Sequence, residues 1–534
     1  MRTVAARFAD AARLWPARPI FRVIEETAEV YGIPEGVITY REASAEVSRI
    51  RESFATAGYS PRSRVMLLLE NRPSFFLYFI ALNGMGISVV PLNPDLRRNE
   101  IAHLVMHSKP SLVVVAPSRL ADLVEAVAHS GALVPVVELG QMLPPSGENS
   151  SVTRLEEDPA LQEAALLYTS GSTGVPKGCV LSNEYFTMAG DWYASLGGIA
   201  SLSRDGERMV TPLPTFHMNA MAYSFMAMIT VGGCLTCLDR FHPRSWWNSV
   251  GAADATCFHY LGVMPSMLMT LPASSQDTLH GLRFGFGAGV DARVQESFES
   301  RFAVPLVEAW AMTETGAGAV VAAADEPRVV GEQAFGRPGE GVEIRVMDAD
   351  GNDASEGEFL VRRAGVNSRC GFFTEYLNDS EATRLAWKGG WFHTGDIVRR
   401  REDGMLHFVD RSKNVIRRSG ENIAAVEVEG VLKRHPAVIN AGVTAVPDDI
   451  RGQEVFACIQ LDGQSNQAVA EELTNWCLND LSYFKAPGYV AFVDSLPLTA
   501  TQKIQRHKLR ELAVDLMDDS GTVSTIHLKK RVGS

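Results

Sequence analysis

The sequence predicts an α/β protein: a large N-terminal domain of layered α/β subdomains with a β-rich subdomain, and a small C-terminal α+β domain. Three observations carry this. Short unbroken apolar runs alternate with amphipathic stretches from residue 36 to 410, among them RVMLLLEN at 64–71 and SLVVVA at 111–116. Unbroken runs of strand length suit parallel strands buried on both faces, and the alternation is a βαβ rhythm. Between 342 and 363 the pattern turns to glycine and short alternating runs, VEIRVMDADGN and GEFLVRR, which suit hairpins. Near residue 410 it changes once more, and a domain boundary is placed at Arg411–Lys413.

The elements follow in order. MRTVAARFADAARLW spaces charged and apolar residues as a helix does, and Asp10 favours a first core helix over a targeting segment. Arg64–Asn71, Ser88–Leu92 and Ser111–Ala116 read as buried strands, and Ser74–Leu82 as a packed helix. GGCLTCL holds Cys234 and Cys237 in an apolar run without a second ligand pair, so both are expected as buried thiols in a strand, not as zinc or redox ligands. Past the boundary, Asn414–Arg417 is a short strand, Ser419-Gly420 a turn, and a helix carrying Val426, Val428 and Leu432 follows. NAGVTAV, VFACIQL and EELTNWCLNDL then repeat β and α signals, and the polar stretch from Val514 is expected to fray.

Composition narrows the function. The 534 residues are 46% hydrophobic and 21% charged, with a formal net charge of −13. An acidic surplus argues against binding nucleic acid through its backbone. No apolar run approaches the roughly 20 residues of a membrane span. Seven cysteines are scattered without framework spacing, so a reduced, cytoplasmic setting is expected.

The most informative stretch is YTSGSTGVPKG at 168–178. Its glycines let backbone N–H groups approach a phosphate, Thr169, Ser170, Ser172 and Thr173 add hydroxyl donors, and Lys177 adds a positive charge. A Walker loop is excluded, because Pro176 precedes Lys177 and Gly178 follows it. Other segments suit the rest of a nucleotide. In WAMTETG, Glu314 can hold Mg²⁺ beside phosphates, which is how Mg²⁺ is usually bound. In WFHTGD, Asp396 suits ribose hydroxyls, and Arg411 can reach the same sugar. LTATQKIQR offers Lys503 near the end of the chain. A dinucleotide fold is disfavoured, since GFGAGV lacks the third glycine of its fingerprint.

Taken together, these motifs resemble the adenylate-forming superfamily of acyl- and aryl-CoA synthetases, peptide-synthetase adenylation domains and beetle luciferases. The resemblance spans about residues 15–512, and FVDRSKNVIRRSGEN is similar to crotonobetaine/carnitine-type CoA ligases. It implies residues 1–410 as the adenylation domain, 411–413 as a hinge at Lys413, and 414–534 as a mobile domain. It implies ATP, Mg²⁺ and coenzyme A, with a small carboxylic acid as substrate, and leaves a homodimer open. By position it implies a phosphate loop of Thr169, Ser170, Gly171, Ser172, Thr173, Gly174 and Lys177. Gly287, Ala288 and Gly289 would line the adenine and acyl pockets. Trp310, Ala311 and Met312 would lie near adenine, with Thr313 on the AMP phosphate and Glu314 on the metal. Asp396 and Arg411 match the ribose pair. Lys503 matches the lysine that bridges carboxylate and phosphate in the first step, although Gln502 stands where the family has glycine. PLPTFHMNA resembles the gate segment, so Phe216, His217, Tyr260, Met264 and Gly316 are the expected acid pocket. Arg417, Arg418, Ser419, Gly420 and Glu421 would meet CoA. A stand-alone enzyme loading a carrier-protein thiol, and an inactive nucleotide-binding homologue, are the alternatives.

Overall fold

A computed structural model describes residues 3–147, 153, 156–169, 176–348, 350–411, 415–463, 465–498 and 504–531, with the backbone alone for Asp410 and Arg411. Ser170, Gly171, Ser172, Thr173, Gly174, Lys413, Gln502 and Lys503 lie outside the described residues.

Among the described residues the strands form four sheets. One has eight strands, and its six central ones, from Pro19–Val23 to Leu306–Trp310, run parallel. A second has seven, with Ser88–Pro91, Arg64–Leu68 and Leu112–Val115 parallel at its centre. These strands are fully buried, as their unbroken apolar sequences require. The Arg64 strand stops at Leu68, short of Asn71, and Glu70 takes a φ of 56 in the turn beyond. The helix at Pro73–Asn83 buries nearly every side chain, and Val4–Leu14 is the first core helix, with the Thr3 hydroxyl accepting from the Ala6 N–H. Cys234–Cys237 is a buried strand and all seven cysteines are unpaired. The third sheet is antiparallel and contains the expected hairpin, Val342–Met347 against Glu356–Arg363.

The fourth sheet begins at Val415–Arg418 and has its own core of Ile416, Ile423, Val443, Val455, Leu473 and Val490. Two features here depart from expectation. The Ser419-Gly420 turn does not lead straight into a helix. It returns as a second strand, Glu421–Ala424, before the helix Ala425–Leu432. The described part of the segment after Val514, as far as Arg531, also does not fray. The helix Arg506–Met517 ends there, Val523–Ser524 pairs with Tyr489–Phe492, and Thr525 and Lys529 are buried. The polar residues of this tail are spent on specific partners, which composition alone does not reveal.

Candidate active site at the seam of two domains

The glycine-rich loop joins two antiparallel strands, Glu163–Thr169 and Lys177–Ser182, with Thr169 opposite Lys177. This hairpin tip differs from the strand-to-helix setting of a Walker loop. The Lys177 ammonium lies 4.8 Å from the centre of the Tyr376 ring. The Tyr376 hydroxyl donates to Glu314 Oε1 at 2.9 Å. One aromatic ring therefore spaces a cation from a buried carboxylate. Burial and the Glu314 charge together push the Tyr376 phenol well above its ordinary range, so it stays a donor. No group of three or more His, Cys, Asp or Glu gathers among the described residues. A single anchored carboxylate fits Mg²⁺ that takes its remaining ligands from phosphate and water.

The neighbouring strand end carries the ribose and adenine candidates. Asp396 is buried and sits opposite Arg411 in the antiparallel pair Phe392–Arg400 and Leu406–Arg411. The Trp310 indole N–H donates to Asp396 Oδ2 at 2.9 Å, and its ring packs edge-on to Phe359 at 4.7 Å. Trp310 thus orients the aspartate from within an aromatic cluster. Ala311, Met312 and Thr313 are half-buried in the turn that follows, which is tied by the Met312 N–H donating to Thr315 Oγ1 at 2.9 Å. At Gly316 (φ 45) any side chain would collide with Tyr185, so this glycine answers to packing.

Gly287 and Ala288 end the strand Phe284–Ala288, and Gly289 (φ 78) follows it. Beneath them lies Glu308, which belongs to no motif in the sequence. Glu308 accepts from Tyr260 Oη at 2.5 Å, from the Gly289 N–H at 2.8 Å and from the Val290 N–H at 3.2 Å. Burial lifts its carboxyl to about 7, against the pull of those donors and of Arg417. The expected acid-pocket residues Tyr260 and Met264 are both buried in the core beside Phe258 and Leu268, with the Tyr260 hydroxyl committed to Glu308. A measurable consequence follows. A carboxyl whose folded value exceeds its unfolded value lowers stability as pH rises between the two. Glu308→Gln is therefore expected to gain on the wild type from about pH 4.5 to 7.5, by up to about 3 kcal/mol. A stability difference that stays flat over this range would contradict it.

The C-terminal domain brings its first hairpin to the same place. Ser419 (φ 50) and Gly420 (φ 89) form the turn, and any side chain at Gly420 would collide with Leu261. The Arg417 guanidinium reaches Gly289, its Nη1 3.7 Å from where a Cβ would stand. His217 Nε2 lies 3.6 Å from Glu421 Oε1 across the seam. Arg418 instead points inward, donating to the buried Glu454 at 2.7 Å. Beside Phe216 opens a cleft of about 1030 Å³ whose walls mix arginines with acids, Arg72 paired with Glu70, Arg119 with Asp122 and Arg240 with Asp239. Those arginines carry no local motif, and only folding gathers them.

This fold and these clustered groups define an adenylate-forming enzyme of two domains. The chain belongs to the AMP-binding enzyme family, whose model matches residues 8–369, and the family's C-terminal domain matches residues 427–503. It is an AMP-forming ligase of this family, and relatives of it are named CoA ligases. It is 30% identical to a crotonobetaine/carnitine–CoA ligase of Salmonella paratyphi B over 91% of this chain and 96% of the relative. Its fold matches an amide bond synthetase from Marinactinospora thermotolerans with TM-score 0.80 at 25% identity, covering 96% of this chain and 100% of the other. It also matches a malonyl-CoA ligase solved with methylmalonyl-CoA and AMP, with TM-score 0.73 at 28% identity, covering 90% and 96%.

Proposed function

We propose that both half-reactions take place at the Gly287–Gly289 strand end, and that residues 414–534 turn about Lys413 between them. The observation that carries this reading is the placement of the Arg417–Glu421 hairpin against Gly289, Leu261 and His217. In the first step a carboxylate oxygen attacks the α-phosphorus of ATP and pyrophosphate leaves. Thr169, Lys177 and the 170–174 loop hold the phosphates, Thr313 meets the α-phosphate, and Asp396 with Arg411 holds the ribose. Mg²⁺ on Glu314, when bound, offsets phosphate charge. Lys503 enters only in this orientation, and its positive charge favours the transition state. In the second step the CoA thiol attacks the acyl carbon and AMP leaves. Gly420, packed on Leu261, presents bare backbone beside the path of the pantetheine arm. Among the described residues no helix is long and apolar enough to cross a membrane, and the seven unpaired cysteines support a cytoplasmic setting.

The test is a product assay. Purified protein is offered ATP, Mg²⁺, CoA and a panel of carboxylic acids, including betaine-like, dicarboxylic and aromatic ones. Pyrophosphate, AMP and an acyl-CoA should appear together for at least one acid, and EDTA should stop pyrophosphate release. AMP formed without thioester, with the acyl group passing only to an amine or a carrier protein, would overturn the proposed acceptor.

A further inference from the structure

The docked orientation is held by more than the catalytic hairpin. Polar contacts from the C-terminal domain converge on one short segment of the large domain, Asp95–Glu100. Lys485 Nζ donates to Glu100 Oε1 at 2.6 Å and to Glu427 Oε1 at 2.8 Å, and Ser482 Oγ donates to Glu100 Oε2 at 2.8 Å. Lys485 and Glu100 have side chains only 7% and 9% exposed. Asn99 Nδ2 donates to Asp480 Oδ1 at 3.0 Å. From the end of the chain, Arg531 Nε donates to Asp95 Oδ1 at 2.7 Å.

The tail that delivers Arg531 is itself anchored. Val523–Ser524 adds a strand to the C-terminal sheet, and Thr525 Oγ1 donates to the Pro487 carbonyl at 2.8 Å. The buried Lys529 is paired with Glu454, the same carboxylate that holds Arg418 just before the Ser419-Gly420 turn. One strap therefore braces the hairpin that faces the reaction centre and also grips the opposite domain.

We propose that Asp95–Glu100 is a docking seat, and that the seat and the C-terminal strap form a latch holding the thioester-forming orientation. The proposal rests on the two-orientation reading given above. Its physical basis is the difference between buried and exposed pairs. In the docked orientation the buried Lys485 lies between carboxylates of both domains, so removing the charge of Glu100 leaves that buried cation with one partner fewer there, a cost absent once the domains part and water reaches it. Exposed surface pairs would bias the equilibrium little. Asp95, Glu100, Lys485 and Arg531 touch no reacting atom here and act as positioning residues.

The test uses the full chain with one dye on each domain, and the variants Glu100→Gln, Arg531→Gln and their combination. Glutamine at 100 keeps an acceptor for the Arg97 N–H that Glu100 now receives at 2.8 Å, so the helix cap survives. The double variant should lower the ratio of docked to parted molecules by about tenfold, the scale of losing interdomain charge pairs. Thioester formation from a synthetic acyl-adenylate at saturating CoA should fall in step, with ATP–pyrophosphate exchange unchanged or faster. Two results would overturn the latch: dye distances that match the wild type, or equal losses in both half-reactions. A shifted dye distance in a protein that makes no acyl-CoA even as wild type would uphold the latch and sink the functional reading instead.

Discussion

Lys503→Ala is expected to cut adenylate formation by about 100-fold or more while sparing thioester formation from a synthetic acyl-adenylate. The size follows from what one preorganised charge contributes to a transition state, on the order of 10²–10³ in rate. The selectivity follows from where the surrounding chain sits. Leu498 and Ile504, which flank this segment, form a bridge and pack on the small domain's own cluster with Val446 and Phe456. The hairpin at Arg417–Glu421 is what faces Gly289 in this orientation. A lysine needed only in the other orientation should be dispensable for the thiol step. Pyrophosphate exchange and single-turnover thioester formation measure the two steps separately, and equal losses in both would contradict the assignment.

Gly420→Ala should produce the opposite split. Gly420 has a φ of 89, where an L side chain is strained by about 1–2 kcal/mol. Its new methyl would also strike Leu261 across the seam, but only in the docked orientation. Thioester formation is expected to fall by about 10–100-fold, on the scale of 1.4 kcal/mol per factor of ten. Adenylate formation should stay near the wild-type rate. Adding Leu261→Ala should recover the part due to collision and leave the backbone strain. If Gly420→Ala slows adenylation as much as thioester formation, the turn is structural and not a docking element.

Much of the architecture was legible in the sequence. Buried parallel strands announce themselves by unbroken apolar runs, and the 342–363 hairpin by its glycine and alternation. Motifs that are contiguous, such as Thr313-Glu314 or the 168–178 stretch, stand out in the sequence by themselves. What escaped depends on pairing between distant segments. Glu308 sits in LVEAW, where one acid in an apolar run looks like a strand's exposed face; its partners come from the adjoining strand and from Tyr260. Tyr260 and Met264 look alike whether they line a pocket or fill a core, and the fold puts them in the core. The tail looked disordered because its strand has only two residues, and its anchors, Thr525, Lys529 and Arg531, are polar side chains whose partners lie far off in sequence.

The central claim is that one chain uses two domain orientations in turn, and fixing one of them tests it most directly. Asp95→Cys with Arg531→Cys, bridged by a short bis-maleimide, would hold the seam closed at a pair now joined at 2.7 Å. Six of the seven native thiols are buried, which favours selective bridging. The bridged protein should lose pyrophosphate exchange and keep thioester formation from a supplied acyl-adenylate, while the unbridged double variant should keep pyrophosphate exchange and form thioester at the reduced rate that loss of the Asp95–Arg531 pair brings. A bridged protein that still adenylates acids at the unbridged rate would show that no turning of the small domain is needed.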